Sequence, residues 1–184
     1  MADLPPVEWI LAVDLSTRAT GWAAGLVTAN RPHADLWTLP GLSDQGQLYG
    51  DLWDRLERWC NRREPDLIAY CRPFLNKGSL AAEGLGGMSA VLHLFCHRRG
   101  IPLRRVDERD ARVAVVRPTI LKEMAAASRA AGKGSGAGSK LAKAAALEWA
   151  ARVGIDAATH DVADAAVVWF YTRGLILDRQ RKAA

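Results

Sequence analysis

The sequence predicts a single α/β domain built on a mixed five-stranded sheet. The first part of the chain contains three strand-like segments in the order of an antiparallel meander. The rest alternates between helical and strand-like segments, which is typical of parallel strands. The chain has 184 residues, of which 49% are hydrophobic, and this is enough to bury one sizeable core. We therefore expect residues 1–184 to form one domain.

Three strands are expected at the start of the chain. Residues 8–14 include an apolar run that predicts a buried strand. Residues 20–27 predict its hairpin partner, and residues 34–39 predict a shorter third strand that ends before Pro40. Because these segments follow one another closely, we expect them to pair as a meander.

Helices and strands alternate after this meander. Apolar residues recur at helical spacing over residues 45–63, and an uninterrupted apolar run over 66–71 predicts an interior strand. A long helix over 78–99 and a fifth strand over 102–106 are expected next. Three glycines lie within that long helix and indicate that another backbone packs closely against it. They are Gly84, Gly86 and Gly87.

The following segment predicts two further helices and a loop. Asp107 is placed as the N-cap of a helix that reaches about residue 116. The glycine-rich residues 130–138 predict a mobile loop. Ser139 is then expected to cap an alanine-rich helix that ends near Arg152.

The acidic residues that point to a functional site lie at opposite ends of the chain. Asp14 ends the first predicted strand. Asp161 and Asp164 lie three residues apart, on one face of a final helix expected from about His160 to Arg173, which a basic tail over residues 174–184 follows. Three carboxylates brought together by a sheet and a helix suggest a metal site.

Charge and composition narrow the class of protein. The net charge of +5 is concentrated in residues 98–143, which hold 12 Lys and Arg against 4 Asp and Glu. Such a region indicates a polyanionic partner, although a solvated basic face without a partner would give the same pattern. No apolar run approaches the roughly 20 residues that cross a bilayer, and the first residues do not resemble a signal peptide, so a soluble, cytoplasmic protein is expected. Three cysteines without CxxC spacing indicate neither a zinc site nor a disulfide framework.

Three segments carry a resemblance to a known family. Residues 10–23, residues 65–74 and residues 161–165 resemble, in order and spacing, the motifs of the RuvC family of Holliday junction resolvases, which have the ribonuclease H-like fold. The resemblance covers nearly the whole chain. It implies a homodimeric endonuclease that cuts branched DNA symmetrically and uses two Mg²⁺ ions per active site, or Mn²⁺ in their place.

The family clusters four acidic positions, and this chain matches three of them. The resemblance assigns Asp14, Asp161 and Asp164 as catalytic metal ligands, whereas the fourth position falls on Cys71. A thiol is a softer ligand than a carboxylate, is mostly protonated at neutral pH and supplies one donor atom instead of two. The neighbouring acids are expected to raise the pKa of Cys71 further.

Three interpretations of Cys71 are open. The chain is an enzyme inactivated by replacement of a glutamate, a naturally divergent DNA-binding protein, or an enzyme in which a nearby acid replaces the missing one. The first is favoured because the residues around Cys71 keep the family pattern, and it predicts severely reduced cleavage with DNA binding retained. The acids nearest in sequence are Glu64, Asp66 and Glu83. Asp66 lies at the opposite end of the same strand, and its odd offset from Cys71 points its side chain to the other sheet face.

Other residues are expected to contact DNA. In the family, a Phe at the position of Phe74 stacks on bases at the junction, although Phe74 could equally cover the core beneath its loop. Lys140 or Lys143 is expected to balance charge on the scissile phosphate, and we assign this catalytic role to Lys140. His160 either assists the metal or the leaving group, or simply caps the helix. The residues expected at DNA phosphates are Arg72, Lys77, Arg104, Arg105, Arg109, Arg112, Lys133 and Lys143.

Other functions fit parts of the pattern. The segment around Asp14 also resembles the phosphate-binding strand of sugar kinases and actin-like ATPases, but those need two such domains and 184 residues leave no room for both. A noncatalytic protein that binds branched DNA would keep the basic region without the fourth acid. A nuclease acting on flaps, replication forks or RNA hybrids would keep the acids and change the substrate.

Overall fold

The computed structural model of the chain describes residues 6–71, 79–132 and 136–183. Its centre is a five-stranded sheet in the order β3-β2-β1-β4-β5, in which β1 to β3 pair antiparallel and β1, β4 and β5 pair parallel. The mixed sheet expected from the sequence is therefore confirmed. The strands are β1 (Trp9–Asp14), β2 (Ala19–Leu26), β3 (His33–Thr38), β4 (Leu67–Cys71) and β5 (Leu103–Val106).

Helices cover both faces of this sheet. Their bounds in the described residues are α1 (Gln45–Arg62), α2 (Leu80–Arg99), α3 (Glu108–Ala111), α4 (Ile120–Ala131), α5 (Ala137–Arg152) and α6 (His160–Ala183). Asp107 caps α3 as expected, since its Oδ1 accepts a hydrogen bond from the Arg109 backbone N–H at 2.8 Å. After α3 the chain continues directly into a π-helical turn, Arg112–Val116, whose wider loop ends with the Arg117 N–H bonded to the Arg112 carbonyl.

The sheet separates two apolar cores. Alternate residues of β1 point to opposite faces, so Leu11 and Val13 share a core with the leucines of α1 and with Phe95 of α2. Ile10 and Ala12 face the other core, which α5 and α6 fill largely with alanine and tryptophan side chains. The small alanine side chains bring α6 close to the sheet, and this closeness positions the acids at its start.

Several bounds differ from the sequence predictions. Helix α5 begins at Ala137 with Gly136 as its N-cap residue, so Ser139 lies inside the first turn and is not the cap. The residues expected to form a basic tail continue α6 as a helix to Ala183, and α4 is a helix that the sequence interpretation did not identify. Of the predicted loop, residues 133–135 lie outside the described part of the chain.

The glycines of α2 make room for side chains instead of a second backbone. A Cβ at Gly84 would overlap the Leu42 side chain, and a Cβ at Gly87 would overlap the Tyr49 ring. A Cβ at Gly86 would meet no described atom within 4 Å. The glycines therefore let α1 and the loop before it approach α2 through Tyr49 and Leu42.

No described helix combines the length and the apolar character needed to cross a membrane.

Candidate functional site

The site lies where the three parallel strands end. Val13 of β1 pairs with Tyr70 of β4, so Asp14 and Cys71 end neighbouring strands at the same level. Cys71 in turn pairs with Val106, the last residue of β5. The carboxyl ends of parallel strands meet at one edge of a sheet, and this edge carries the acids.

Asp14 and Cys71 point to the same face of the sheet. Residues two apart in a strand share a face, so Asp14 lies on the side of Ile10 and Ala12. Cys71 itself belongs to that core and is 7% exposed. Both side chains therefore face α6, as the sequence interpretation requires.

Gly21 brings the helical acids to this edge. Gly21 pairs with Asp14 across the antiparallel β1–β2 ladder. A Cβ at Gly21 would overlap the backbone carbonyl of Asp161 and crowd the amide of Val162. The first turn of α6 thus rests directly on the β2 backbone, which places Asp161 beside the strand pair that carries Asp14.

Arg112 joins the last acid of the site to a fourth carboxylate. Its guanidinium donates to both oxygens of Asp164, at 3.0 and 3.1 Å, and pairs with Glu108 at 2.5 Å. Arg112 is 7% exposed, and it opens the π-helical turn that follows α3. The sequence interpretation expected Arg112 at a DNA phosphate, but the structure places it inside the carboxylate cluster, where buried acids require a counter-charge.

The acids of the site influence the pKa of Asp14. Removal from bulk water raises the pKa of Asp14 well above its ordinary value, and the charges of Asp164, Asp161 and Glu108 raise it further. Arg112 acts in the opposite direction. Burial likewise raises the pKa of Asp161. The site therefore holds carboxylates that repel one another and favour an added cation.

Glu108 is the site residue that the sequence interpretation missed. It is the first residue of α3, two positions beyond the end of β5. Although 46% of its side-chain surface is exposed, protein atoms crowd the carboxyl group, and this desolvation raises the pKa of Glu108. The charges of Arg112 and Lys143 lower that pKa. The available signal was its place two residues after the end of a third parallel strand, whose last residue, Val106, pairs with Cys71.

The Cys71 thiol lies in the field of the same acids. Burial is the largest cause that raises the pKa of Cys71, followed by the charges of Asp14, Glu108 and Asp164. This is the direction expected from the sequence. The thiol is therefore held protonated at neutral pH and is a poor ligand for a hard cation.

Lys143 is the lysine of α5 that reaches the site. Its Nζ lies 2.7 Å from Nε2 of His160, and the same Nε2 lies 3.3 Å from Oδ1 of Asp161. An ammonium group only donates, so His160 presents a lone pair to Lys143. Lys140 lies nearly one turn earlier and is exposed to solvent. Lys143 is thus better placed than Lys140 to balance charge at the acids.

The other residues expected at DNA divide into two groups. Arg105 and Arg109 are exposed and Arg104 is half-buried. Arg104 and Arg105 line a cavity of about 290 Å³ that they share with Asp107, Asp110, Val106 and Tyr171. The remaining expected residues lie outside the described part of the chain; they are Arg72, Phe74, Lys77 and Lys133.

The acids nearest to Cys71 in sequence serve elsewhere. Asp66 accepts hydrogen bonds from the backbone N–H groups of Glu8 and Trp9, at the opposite end of the sheet. Glu64 pairs with Arg99 at 3.4 Å. Glu83 is exposed in the first turn of α2.

The carboxylates of the site are chemically suited to bind a divalent metal ion. Asp14, Asp161, Asp164 and Glu108 offer the oxygen ligands that Mg²⁺ and Mn²⁺ prefer. Among the described residues, however, no three His, Cys, Asp or Glu side chains come together closely enough to hold an ion as they stand. Two of the carboxylates are held by Arg112, so coordination requires those ion pairs to rearrange.

Comparison with known proteins shows which fold this is. No protein-family model matches the sequence, and no curated protein matches it. Among solved structures, RuvC of Thermus thermophilus in complex with a Holliday junction substrate is similar with a TM-score of 0.60 at 13% identity, covering 91% of this chain and 96% of RuvC. A second Thermus thermophilus RuvC structure gives 0.59 at 14% identity, covering 91% of this chain and 97% of that one.

A eukaryotic protein has the same architecture. The yeast mitochondrial Holliday junction resolvase Ydc2 is similar with a TM-score of 0.53 at 14% identity, covering 98% of this chain and 86% of Ydc2. The three similarities cover between 91% and 98% of this chain. The chain therefore has the ribonuclease H-like fold of the RuvC resolvases.

Proposed function

We propose that this protein is a structure-specific endonuclease that resolves four-way DNA junctions by metal-dependent hydrolysis of phosphodiester bonds. One observation carries the proposal. Asp14 of β1 and the acids at the start of α6 meet at one edge of the sheet because Gly21 lets the α6 backbone rest on β2. Oxygen donors from distant segments are thereby brought to the sheet edge that parallel-sheet proteins use for ligands.

The metal ions and the protein side chains would make separate contributions to the reaction. Two bound Mg²⁺ or Mn²⁺ ions, held by Asp14, Asp161 and Asp164, would supply activation of water and stabilisation of the leaving oxygen. Lys143 is positioned to offset negative charge near Asp161. Arg112 offsets the charge of Asp164. Cys71 contributes no carboxylate, so we propose that cleavage is slow relative to a chain with glutamate at that position.

Binding of the junction would use the basic region. The exposed Arg105 lies in β5 and the exposed Arg109 in α3, and both are close in sequence to Glu108 and Arg112 of the carboxylate cluster. Phosphate contacts at these arginines would position the DNA without reading its sequence. A four-way junction has two equivalent strands to cut, which favours a homodimer with two sites.

The dimer is proposed to use α2. Leu80 and Leu94 of α2 are 55% and 48% exposed, large values for leucine side chains on a helix of a folded domain. Burial of such side chains between two copies would stabilise the association. Analytical ultracentrifugation of the wild type and of Leu94→Glu tests this, with a shift toward monomer expected for the variant.

The nuclease proposal is tested on a synthetic four-way junction in Mg²⁺ and in Mn²⁺. Asp14→Asn is expected to lower the cleavage rate by about 100-fold or more while junction affinity is kept, since it removes a metal ligand and not a phosphate contact. Cys71→Glu is expected to raise the rate above that of the wild type. Asp54→Asn, an exposed aspartate of α1, is the matched control.

Equal rates for the wild type and Asp14→Asn would exclude the proposed site. Affinities for junction, flap and duplex at one salt concentration identify the preferred substrate, and tighter binding to a flap would overturn the assignment to junctions.

A noncatalytic junction-binding protein is the second candidate. It is favoured by the guanidinium of Arg112, which already neutralises Asp164 and Glu108 in the cluster. In that case the wild type and Cys71→Glu would both bind the junction, and neither would cut it.

A further inference from the structure

The site lacks a carboxylate at the end of β4, the middle one of the three parallel strands. β1 ends in a carboxylate, Asp14, whereas β4 ends in the thiol of Cys71. At a pH below its pKa the thiol is protonated, and it then offers a hard cation neither a negative charge nor an oxygen atom. A complete oxygen ligand set therefore requires a carboxylate from another element that reaches the same point.

We infer that Glu108 supplies this carboxylate and is a ligand of the divalent metal in place of residue 71. The inference rests on the proposed function, because it concerns the same metal site. It changes the interpretation of Cys71, since the acid would have moved from the end of β4 to the residue that opens α3, beside the next strand.

The backbone fixes Glu108 near the end of β4. Cys71 pairs with Val106, and only Asp107 separates Val106 from Glu108. The Asp107 side chain is committed to capping α3 through the Arg109 N–H. Glu108 is therefore the first acid after β5 whose side chain is available to the site.

Arg112 ties Glu108 to an acid of α6. One guanidinium nitrogen of Arg112 pairs with Glu108 and the other with Asp164, so a single planar group separates the two carboxylates. Arg112 is buried, and its Nε has no hydrogen-bond partner among the described residues. The group between these two carboxylates is thus a cation that pairs with both of them.

Glu108 also interacts with the acids of the sheet. Its charge raises the pKa of both Asp14, which ends β1, and Cys71, which ends β4. The other acid of α3 that could compete for this role, Asp110, lines the cavity with Arg104 and Arg105 instead. Glu108 is the α3 acid that the structure brings to the cluster.

The experiment measures Mn²⁺ binding directly, by the loss of the free Mn²⁺ signal in electron paramagnetic resonance, without DNA. Glu108→Gln keeps an oxygen for Arg112 and removes the charge, and it is expected to weaken Mn²⁺ binding by about tenfold or more. Asp110→Asn, two residues along the same helix, is expected to bind like the wild type. The double variant Glu108→Gln with Cys71→Glu is expected to recover binding, because it returns the carboxylate to β4.

Asp14→Asn makes failure of this inference distinguishable from failure of the metal site. If Asp14→Asn weakens Mn²⁺ binding while Glu108→Gln binds like Asp110→Asn, Glu108 is not a ligand and the proposed site stands. If Asp14→Asn also leaves binding unchanged, the metal site and the role of Glu108 are both overturned. Circular dichroism melting of every variant establishes that a loss of binding is not a loss of folding.

Discussion

The two ends of the central strands treat an aspartate in opposite ways. At the amino end of β4, Asp66 accepts hydrogen bonds at 2.9 and 2.8 Å from the backbone N–H groups of Glu8 and Trp9. At the carboxyl end of β1, Asp14 faces other carboxylates, and burial and their charges raise its pKa. One residue type stabilises the fold at one end and is held in an unfavourable environment at the other.

The two aspartates differ in which groups stabilise their charges. Backbone donors satisfy Asp66, so its charge secures the pairing of β4 with the start of β1. Asp14 and its neighbours gain stability chiefly from Arg112 and from any cation that binds. Destabilised groups of this kind are concentrated at functional sites.

The largest effect on stability is expected from Arg112→Ala. Removal of the guanidinium leaves Asp164 buried without its counter-charge, and breaking such a pair costs about 3 kcal/mol of the free energy of unfolding. Urea denaturation in the absence of divalent ions measures this loss. Arg109→Ala, at an exposed arginine of α3 three residues before Arg112, is expected to change stability little. A similar small change for both variants would mean that Arg112 does not hold the cluster together.

A smaller effect is expected at the opposite end of the sheet. Asp66→Ala removes the acceptor for two backbone N–H groups, one of them partly buried, and is expected to cost about 1–2 kcal/mol. The same denaturation measurement applies, with Asp54→Ala on the exposed face of α1 as the control. If Asp66→Ala were as stable as this control, the contrast between the two ends would not hold.

Unlike Arg112→Ala and Asp66→Ala, Asp14→Asn is expected to raise the free energy of unfolding. This gain is expected only at pH values above the acidic range. The pKa of Asp14 is raised in the folded state, so between its unfolded value of about 3.9 and its folded value the native protein holds a proton that the unfolded chain has lost. Wild-type stability therefore falls as pH rises through that interval. Asparagine does not titrate, so the variant is expected to gain on the wild type over the same interval and to remain more stable at neutral pH.

Urea denaturation at a series of pH values, with chelator present, measures the difference between these two proteins. A difference that does not depend on pH would contradict the raised pKa of Asp14. Addition of Mg²⁺ is expected to reduce the advantage of the variant, because an ion that binds the native wild type stabilises it.

The sequence was sufficient for the sheet and for part of the site. Apolar runs that end at Asp14 and Cys71 predicted the strands, and the three-residue spacing of Asp161 and Asp164 predicted a shared helix face. These features are local, so periodicity reveals them. The N-cap role of Asp107 was recoverable for the same reason.

The remainder depends on contacts between distant segments. Arg112 is an ordinary basic residue in the sequence, and only the packing of α6 against the π-helical turn brings Asp164 to it. Glu108 was passed over because strand pairing between β4 and β5, and not sequence distance, places it near Cys71. The helix α4 was missed because Pro118 lies just before it and a glycine-rich segment follows it, and both residue types interrupt helical patterns.

Gly21 has a consequence for how the site tolerates change. The distance between the sheet that carries Asp14 and the helix that carries Asp161 is set by main-chain atoms in van der Waals contact. No side-chain torsion lies between them that could adjust this distance. A single added methyl group at residue 21 would act as a wedge and separate Asp14 from Asp161 while leaving every acidic residue intact. The geometry of the acids is therefore controlled by a position that has no functional group of its own.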